Sequence, residues 1–171
     1  MRVYLGIGTN LGDRRANLET AVEAIAGMEG VMLAGRAGIY ETAPVGPSQP
    51  LFLNTAVAVE TQLDLETLLD RCKAAEQRIG RRPTFRWGPR VIDIDLLASE
   101  GAPYDSARLH VPHLELKNRR FALEPLCELA PDLVHPREQR TMRELRDALA
   151  DQGVRRLGDF EQALSGPDRR Q

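Results

Sequence analysis

Residues 86–97 combine the residue types and spacing best suited to chemistry in this chain: two aspartates within an apolar run, with two arginines just before it. Side chains alternate along a strand, so Asp93 and Asp95 would share one face, roughly 6.6 Å apart along the strand. Two carboxylates at that spacing can converge on divalent cations. Arg86 and Arg90 flank a Gly-Pro turn and offer fixed positive charges to phosphate oxygens. The run indicates a metal and phosphate site, although an isolated Asp-x-Asp pair is more often a solvated feature of an edge strand.

Length and composition describe an ordinary soluble domain. The 171 residues suffice for one domain that buries about 70 % of its unfolded surface. A net charge of −2 gives no global basic field for nucleic acid. No apolar run approaches the ~18 residues of a membrane span, and the N-terminus lacks the apolar region of a signal peptide. Cys72 and Cys127 sit among apolar residues, which is typical of buried thiols in a reducing compartment. We expect a cytoplasmic protein without a nucleic-acid or membrane partner.

Hydrophobic periodicity predicts the element order β-α-β-β-α-β before residue 100. Strands are expected over 3–9, 32–42, 52–61 and around the aspartate pair, with helices beginning after the N-cap residues Asp13 and Asp64. This order predicts an α+β fold, a ferredoxin-like βαββαβ antiparallel sheet with both helices on one face.

Helical additions are expected toward the C-terminus. A short helix over 121–129 is predicted to be interrupted at Pro125, and Thr141 and Glu144 form a capping-box pattern ahead of a last helix. The predicted domain spans residues 1–154. Residues 155–171 are polar and basic, and we expect them to form a poorly ordered tail.

Nucleotide-binding loops of the common kinds are not found. Residues 6–12 read GxGxxxG rather than the GxGxxG of a dinucleotide site, and no acid follows at the required distance. Glycines needed for a turn and for close packing explain that segment. Neither Lys73 nor Lys117 is followed by Ser or Thr, so a Walker A loop is excluded. Any nucleotide phosphates must be held by arginine and metal.

Four further residues have both a functional and a structural interpretation. Phe52 and Asn54 fall on one face of a strand, where a ring can stack on a flat heterocycle while the amide hydrogen-bonds its edge, although a core Phe beside a sheet-edge Asn fits as well. His113 alone is more often a loop hydrogen-bonding group than a ligand. Glu76, on the apolar side of its helix among arginines, is either a structural ion pair or a functional acid.

The chain resembles the 6-hydroxymethyl-7,8-dihydropterin pyrophosphokinase family of folate biosynthesis. The resemblance rests on matching motifs that run in order along most of the sequence. They are Tyr4-Leu5-Gly6-Ile7-Gly8-Thr9-Asn10-Leu11-Gly12, Tyr40-Glu41-Thr42-Ala43-Pro44, Phe52-Leu53-Asn54, Arg86-Trp87-Gly88-Pro89-Arg90-x-x-Asp93-Ile94-Asp95, Arg108-Leu109-x-Val111-Pro112-His113, Asn118-Arg119-Arg120-Phe121, Pro125-Leu126 and Glu128-Leu129-Ala130-Pro131. The block around the two aspartates, followed by the Val-Pro-His motif, is highly specific.

The resemblance implies transfer of a diphosphate from ATP to the hydroxymethyl oxygen of 6-hydroxymethyl-7,8-dihydropterin, with release of AMP. It also implies two Mg²⁺ ions, held by Asp93 and Asp95. We expect the pterin to be bound by Thr42, Val45, Phe52, Asn54, Trp87 and Phe121. We expect ATP to be bound by Glu76, Arg81, Arg82, Trp87, Arg90, Arg108, His113 and Arg119. The residues expected to be catalytic are Asp95, Arg81 and Arg90.

In phosphoryl-type transfer the protein contributes mainly by positioning the reactants and stabilising charge, and less by forming covalent intermediates. No dedicated general base is evident, so the hydroxyl would be activated by Asp95 or by the metal. Irregular segments over 12–13, 43–50 and 81–89 are natural closing lids that exclude water from ATP. The sequence departs from the family pattern at Pro83, where a second arginine is common, which leaves Arg81 and Arg82 as alternatives for the phosphate contact. Lys73 stands where glutamine is frequent.

The expected protein is a monomeric enzyme that takes ATP and the pterin as substrates. The rival class is a noncatalytic ferredoxin-like module that binds a nucleotide or RNA. RNA binding would call for exposed aromatic side chains beside a basic sheet face. The pair of aspartates does not suit such a face.

Overall fold

A six-stranded antiparallel sheet forms the centre of the computed structural model, which describes residues 1–44, 46–81 and 88–160. In chain order the strands are β1 (Arg2–Thr9), β2 (Val31–Arg36), β3 (Ile39–Thr42), β4 (Phe52–Thr61), β5 (Asp93–Ser99), β6 (Tyr104–Asp105), β7 (His110–Val111), β8 (Val134–His135), β9 (Arg140–Thr141) and β10 (Arg155–Gly158). The helices are α1 (Arg14–Ala26), α2 (Leu65–Ile79), α3 (Arg120–Leu129) and α4 (Met142–Asp147), with a 3₁₀ turn at Leu116–Asn118.

The sheet has the order β10-β3-β4-β1-β5, and β2 pairs with β4 beyond the part that β3 occupies. The remaining four strands form two small hairpins, β6 with β7 and β8 with β9. The single strand predicted over 32–42 is therefore wrong, because β2 and β3 are separated at Ala37 and Gly38. A Cβ on Gly38 would lie 2.7 Å from the carbonyl oxygen of Gly158, so the break is where β10 approaches closely.

The two faces of the sheet carry separate apolar cores. One core packs α1 and α2 against inward side chains such as Leu5, Val57 and Ile94. The other packs α3 and α4 against Tyr4 and Leu97. Because strand side chains alternate, β1, β4 and β5 each contribute to both faces. The α+β class and the antiparallel sheet are confirmed.

Helix starts follow the predicted caps. Asp13 accepts a hydrogen bond from the backbone N–H of Ala16 at 3.1 Å, and Thr141 caps α4 by accepting from Glu144 at 3.1 Å. The predicted interruption at Pro125 is wrong, since α3 is continuous through this buried residue. The helix ends four residues later, and the apolar packing of its proline offsets the missing hydrogen bond. Within the described ranges, every helix is too short or too polar to span a bilayer.

The C-terminal strand corrects the predicted tail. Residues 155–158 pair with β3, and a guanidinium nitrogen of Arg155 lies 3.1 Å from Oε1 of Glu41. Arg156 contacts Glu128 at 3.2 Å, and Phe160 is buried at 6 % exposure in the core beneath α1 and α2. A poorly ordered tail beginning at 155 is thus wrong for residues 155–160. Residues 161–171 lie outside the described residues.

Candidate active site

A cavity of about 160 Å³ opens on the sheet face that α3 partly covers, and two glycines of β1 form its floor. Gly8 lies between Asn54 on β4 and Asp93 on β5, as their partner in both ladders. Gly6 pairs with Asp95 in the same way. A Cβ on Gly8 would lie 2.9 Å from Oδ1 of Asn54, so a side chain there would enter the cavity. The floor is therefore backbone, with polar side chains rising on both sides.

Sequence reasoning missed this role of the glycines, which it explained by a turn and by close packing. The pattern that could have found it is the spacing of two shared by Gly6-x-Gly8 and Asp93-x-Asp95 in neighbouring strands. Glycines at alternate positions of a strand leave one face bare, which permits a ligand to approach the backbone.

The acidic wall of the cavity contains the predicted aspartate pair. Asp93 and Asp95 both line it, whereas Ile92, Ile94 and Leu96 belong to the opposite core, which confirms the predicted alternation. Burial, followed by the negative charge of Asp93, raises the pKa of Asp95 to about 7 from its ordinary 3.8. Two carboxylates crowded at one wall favour an added cation, because it would relieve their repulsion.

Arginines approach the acidic wall from the loops. Nη1 of Arg90 lies 3.1 Å from Oδ2 of Asp93, and Nη2 of Arg81 lies 3.7 Å from its other carboxylate oxygen. The structure thus brings together Asp93 and the two arginines predicted to be catalytic. Guanidinium groups in this position can bind phosphate oxygens near a metal held by the carboxylates.

Glu76 lies behind the acidic wall and is not among the cavity-lining residues. At 1 % exposure, its Oε1 accepts a hydrogen bond from the backbone N–H of Ile94 at 2.7 Å. Its other oxygen is 3.6 Å from Nη1 of Arg81. Burial raises the pKa of Glu76, against the lowering effect of the Ile94 hydrogen bond and of Lys73. The carboxylate ties the end of α2 to the free edge of β5 between the two aspartates, and its predicted ATP contact stays a prediction.

The donor set at this wall suits Mg²⁺. Magnesium prefers carboxylate oxygens, keeps several waters, and is commonly bound through one or two carboxylates together with substrate phosphates. Among the residues that the structure describes, no group of three or more His, Cys, Asp or Glu side chains could hold a metal ion by itself. The paired aspartates thus fit a metal that arrives with phosphate ligands better than a closed structural site.

The opposite wall is aromatic and amide in character. Phe52, Asn54, Thr42 and Phe121 all line the cavity, so four of the six predicted pterin-binding residues are brought together. Asn54 is 6 % exposed, and its Nδ2 has no hydrogen-bond partner within the described ranges. A buried donor without a partner is costly, and a ligand that accepts from it would remove that cost. Val45 and Trp87, the other two, lie outside the described residues.

His113 is not among the cavity-lining residues, whereas Arg119 is. Nδ1 of His113 accepts a hydrogen bond from the backbone N–H of Glu115 at 3.1 Å, so a neutral ring carries its proton on Nε2. Burial, and then the positive charge of Arg119, lower the pKa of His113. The ring is therefore neutral at pH 7 and can donate to an anion. Arg119 lines the cavity, with its guanidinium carbon 5.7 Å from the centre of the Phe121 ring.

Arg108, another predicted ATP contact, does not line the cavity. Arg108 is half exposed, and its guanidinium contacts carboxylates on α2, those of Asp70 and, at 3.5 Å, Glu66. Its role in ATP binding stays a prediction. Arg82 lies outside the described residues, and Arg81, which contacts Asp93, and Arg82 stay alternatives for the phosphate contact.

A cavity that joins carboxylates, arginines and an aromatic shelf is the site of an enzyme that transfers phosphoryl groups, and comparison with known proteins agrees. The model of the 7,8-dihydro-6-hydroxymethylpterin-pyrophosphokinase (HPPK) family matches residues 4–131. The chain is 46 % identical over 157 residues to the 2-amino-4-hydroxy-6-hydroxymethyldihydropteridine pyrophosphokinase of Methylorubrum extorquens, covering 91 % of this chain and 98 % of the relative. It is 38 % identical to the protein of the same name from Pseudomonas aeruginosa, covering 91 % and 96 %.

Solved structures agree on the fold. The chain is similar to the wild-type HPPK-DHPS of Plasmodium falciparum, with a TM-score of 0.66 and 16 % identity, over 85 % of this chain and 40 % of that one. It therefore spans less than half the length of that structure. The chain belongs to the 7,8-dihydro-6-hydroxymethylpterin-pyrophosphokinase family. It is accordingly a transferase of the pyrophosphokinase class, which acts in folate biosynthesis.

Proposed function

We infer that the chain transfers the terminal diphosphate of ATP to the hydroxymethyl oxygen of 6-hydroxymethyl-7,8-dihydropterin and releases AMP. The observation that carries this assignment to particular residues is the arrangement around the glycine floor. The amide of Asn54 lies on one side and the carboxylate of Asp93 on the other, both in register with Gly8. One ligand lying across the floor can contact both walls.

The pterin would occupy the aromatic side of the cavity. Phe52 and Phe121 supply apolar faces for the bicyclic ring, and burial of such rings contributes most of the binding energy of a flat heterocycle. The unpartnered Nδ2 of Asn54 would donate to an acceptor on the pterin edge, while its Oδ1 accepts from a ring N–H or amine. The backbone of Thr42, at the end of β3, adds hydrogen-bonding groups at the same wall.

ATP would lie along the acidic wall. We propose that Asp93 and Asp95 hold two Mg²⁺ ions together with the phosphates. When bound, such ions polarise the phosphoryl group that is attacked and stabilise the departing AMP oxygen. Arg90 and Arg81, now paired with Asp93, would turn to the phosphates and neutralise charge that develops during transfer. His113 would donate from Nε2 to a phosphate oxygen.

Proton removal from the hydroxymethyl group needs only a modest base. Asp95 faces the cavity, and its raised pKa places it near neutrality in the free protein. In the metal-free protein a carboxylate with such a pKa can accept a proton at physiological pH, and bound Mg²⁺ would lower that pKa. Metal coordination of the hydroxyl is the alternative, and the two routes predict different dependence of the rate on the metal's acidity.

Further features are proposals with partial support. The order β5-β1-β4-β3, with α1 and α2 on one face, supports a ferredoxin-like core to which α3, α4 and β10 are added. We also propose that the enzyme acts as a monomer in the cytoplasm. The noncatalytic RNA-binding alternative is not favoured, because the open side of the sheet places the carboxylates of Asp93 and Asp95 beside its aromatic and basic side chains, where they would repel a phosphate backbone.

Incubation with ATP, Mg²⁺ and 6-hydroxymethyl-7,8-dihydropterin tests the assignment, with nucleotides separated by ion-exchange chromatography. AMP should form stoichiometrically with the pterin diphosphate, and only when pterin and metal are both present. Asn54→Ala should raise the KM for the pterin more than that for ATP. Binding of both substrates without AMP formation, or release of phosphate in place of diphosphate transfer, would refute the proposal.

A further inference from the structure

Arg119 occupies an unusual position for a cation in this cavity. It lines the same cavity as Asp93 and Asp95, yet among the described residues it forms no ion pair with either. Arg90, in contrast, lies 3.1 Å from Asp93. The guanidinium of Arg119 instead rests over the ring of Phe121, 5.7 Å from its centre. A cation–π contact of this kind is weaker than a phosphate contact, so an anion entering the cavity can draw the side chain away.

The ring of Phe121 is also one of the apolar faces available to a planar ligand. Phe121 is half-buried and packs on its other side against the core beneath α3, so its accessible face is directed to the cavity. The Arg119 guanidinium and a stacked heterocycle thus compete for one face. A ring that stacks there must displace the guanidinium, whose five N–H donors then require an acceptor.

We propose that Arg119 couples the binding of the two substrates by exchange: it covers the stacking face of Phe121 in the free enzyme, and moves to the phosphates of ATP when that face is taken by the pterin. This inference rests on the proposed function. Each substrate then removes an obstacle for the other, since ATP draws Arg119 off the ring and the pterin frees Arg119 for the phosphates. Linkage requires that the effect be equal in both directions.

The test is pterin affinity with and without the non-hydrolysable analogue α,β-methylene-ATP and Mg²⁺, measured by pterin fluorescence. If Arg119 only assisted pterin binding, its removal would weaken that binding. Arg119→Ala should instead tighten pterin binding in the absence of nucleotide by about two- to five-fold, the factor that corresponds to one cation–π contact. The factor by which the analogue tightens pterin binding should fall by the same amount.

A double-mutant cycle separates exchange from a general change of charge. With Phe121→Leu there is no ring to cover, so adding Arg119→Ala should leave nucleotide-free pterin affinity unchanged. Arg143→Ala removes the same charge from an exposed site, where the side chain is 52 % accessible, and should change nothing. Circular dichroism should show an intact fold, since no described side-chain hydrogen bond of Arg119 is lost.

Unchanged or weaker pterin binding by Arg119→Ala would overturn the exchange, as would an equal effect in the Phe121→Leu background. These results are distinct from failure of the proposed function. In that case the wild-type protein itself would fail to bind the pterin or to form AMP.

Discussion

Replacing Asp95 by asparagine should stabilise the free protein at alkaline pH while it abolishes turnover. The reason is the cost of ionising a carboxyl group that is crowded by Asp93 and largely removed from solvent. The pKa of Asp95 is raised from 3.8 to about 7. A shift of one unit corresponds to about 1.36 kcal/mol, so the ionised carboxylate opposes folding by up to about 4 kcal/mol well above pH 7. Asparagine has nearly the same shape and carries no charge.

The sign follows from proton linkage. Between pH 4 and pH 7 the folded state holds the Asp95 proton more tightly than the unfolded state does. The free energy of unfolding therefore falls as pH rises through this window, and the contribution is constant above the folded-state pKa. The asparagine variant lacks this decline, whereas every other titrating group is common to both proteins. The difference between variant and wild type therefore reports the ionisation of Asp95 together with its coupling to Asp93.

Urea unfolding in EDTA at a series of pH values from 4 to 8.5 measures that difference. It should be near zero at pH 4, grow through neutrality, and level off at no more than about 4 kcal/mol. Glu23→Gln, at an exposed site on α1, is the control and should give a small, pH-independent difference. Parallel curves for wild type and Asp95→Asn across this range would show that the carboxyl is not strained, and the reasoning would fail.

Three further changes test the floor, the support of the acidic wall and the C-terminal segment. Gly8→Ala places a Cβ 2.9 Å from Oδ1 of Asn54 and should raise the KM for the pterin about ten-fold, the loss of roughly one hydrogen bond, in steady-state assays. Glu76→Ala leaves the buried N–H of Ile94 without an acceptor and should lower the free energy of unfolding by about 1–3 kcal/mol. Glu76→Gln retains an acceptor and should lower it less, and urea titration measures both variants. Phe160→Ala should cost roughly 3 kcal/mol in the same titration, because the ring is buried in the core.

Each of these has a contrary outcome. Gly35→Ala is the control, because its Cβ would meet only Leu129 at 3.5 Å, and it should leave the KM for the pterin unchanged. If Gly8→Ala also leaves the KM unchanged, the glycine floor does not contribute to pterin binding. If Glu76→Ala and Glu76→Gln lower the free energy of unfolding equally, Glu76 stabilises the fold through its ion pair and not through the hydrogen bond from Ile94. A neutral Phe160→Ala would mean that the segment after β10 frays.

The parts of the site that follow local rules could be predicted from the sequence. Alternation along β4 and β5 put Phe52 with Asn54, and Asp93 with Asp95, on one face each, because a strand leaves no other choice. The role of Gly8 could not be seen so directly, since it depends on which strands become neighbours of β1.

The remaining differences come from contacts distant in sequence. Residues 155–158 look like a solvated basic tail until their arginines meet carboxylates held by β3 and α3. The same approach of β10 breaks the extended segment at Gly38, where the local pattern alone favours a continuous strand. The sequence alone does not decide between a structural and a functional role for Glu76, because its partner, the N–H of Ile94, lies 18 residues away.

The glycine floor also sets a length. Asn54, Gly8 and Asp93 are consecutive partners across three neighbouring strands, so the Cα atoms that carry the amide and carboxylate side chains stand two strand spacings apart, roughly 9.6 Å. That separation is fixed by backbone hydrogen bonds and not by any adjustable side chain. A substrate whose ring edge is bound at one wall must therefore place its reacting atom at one fixed distance from that wall. Analogues whose arm is longer or shorter by a carbon should bind the shelf yet miss the metal, so the sheet itself works as a gauge.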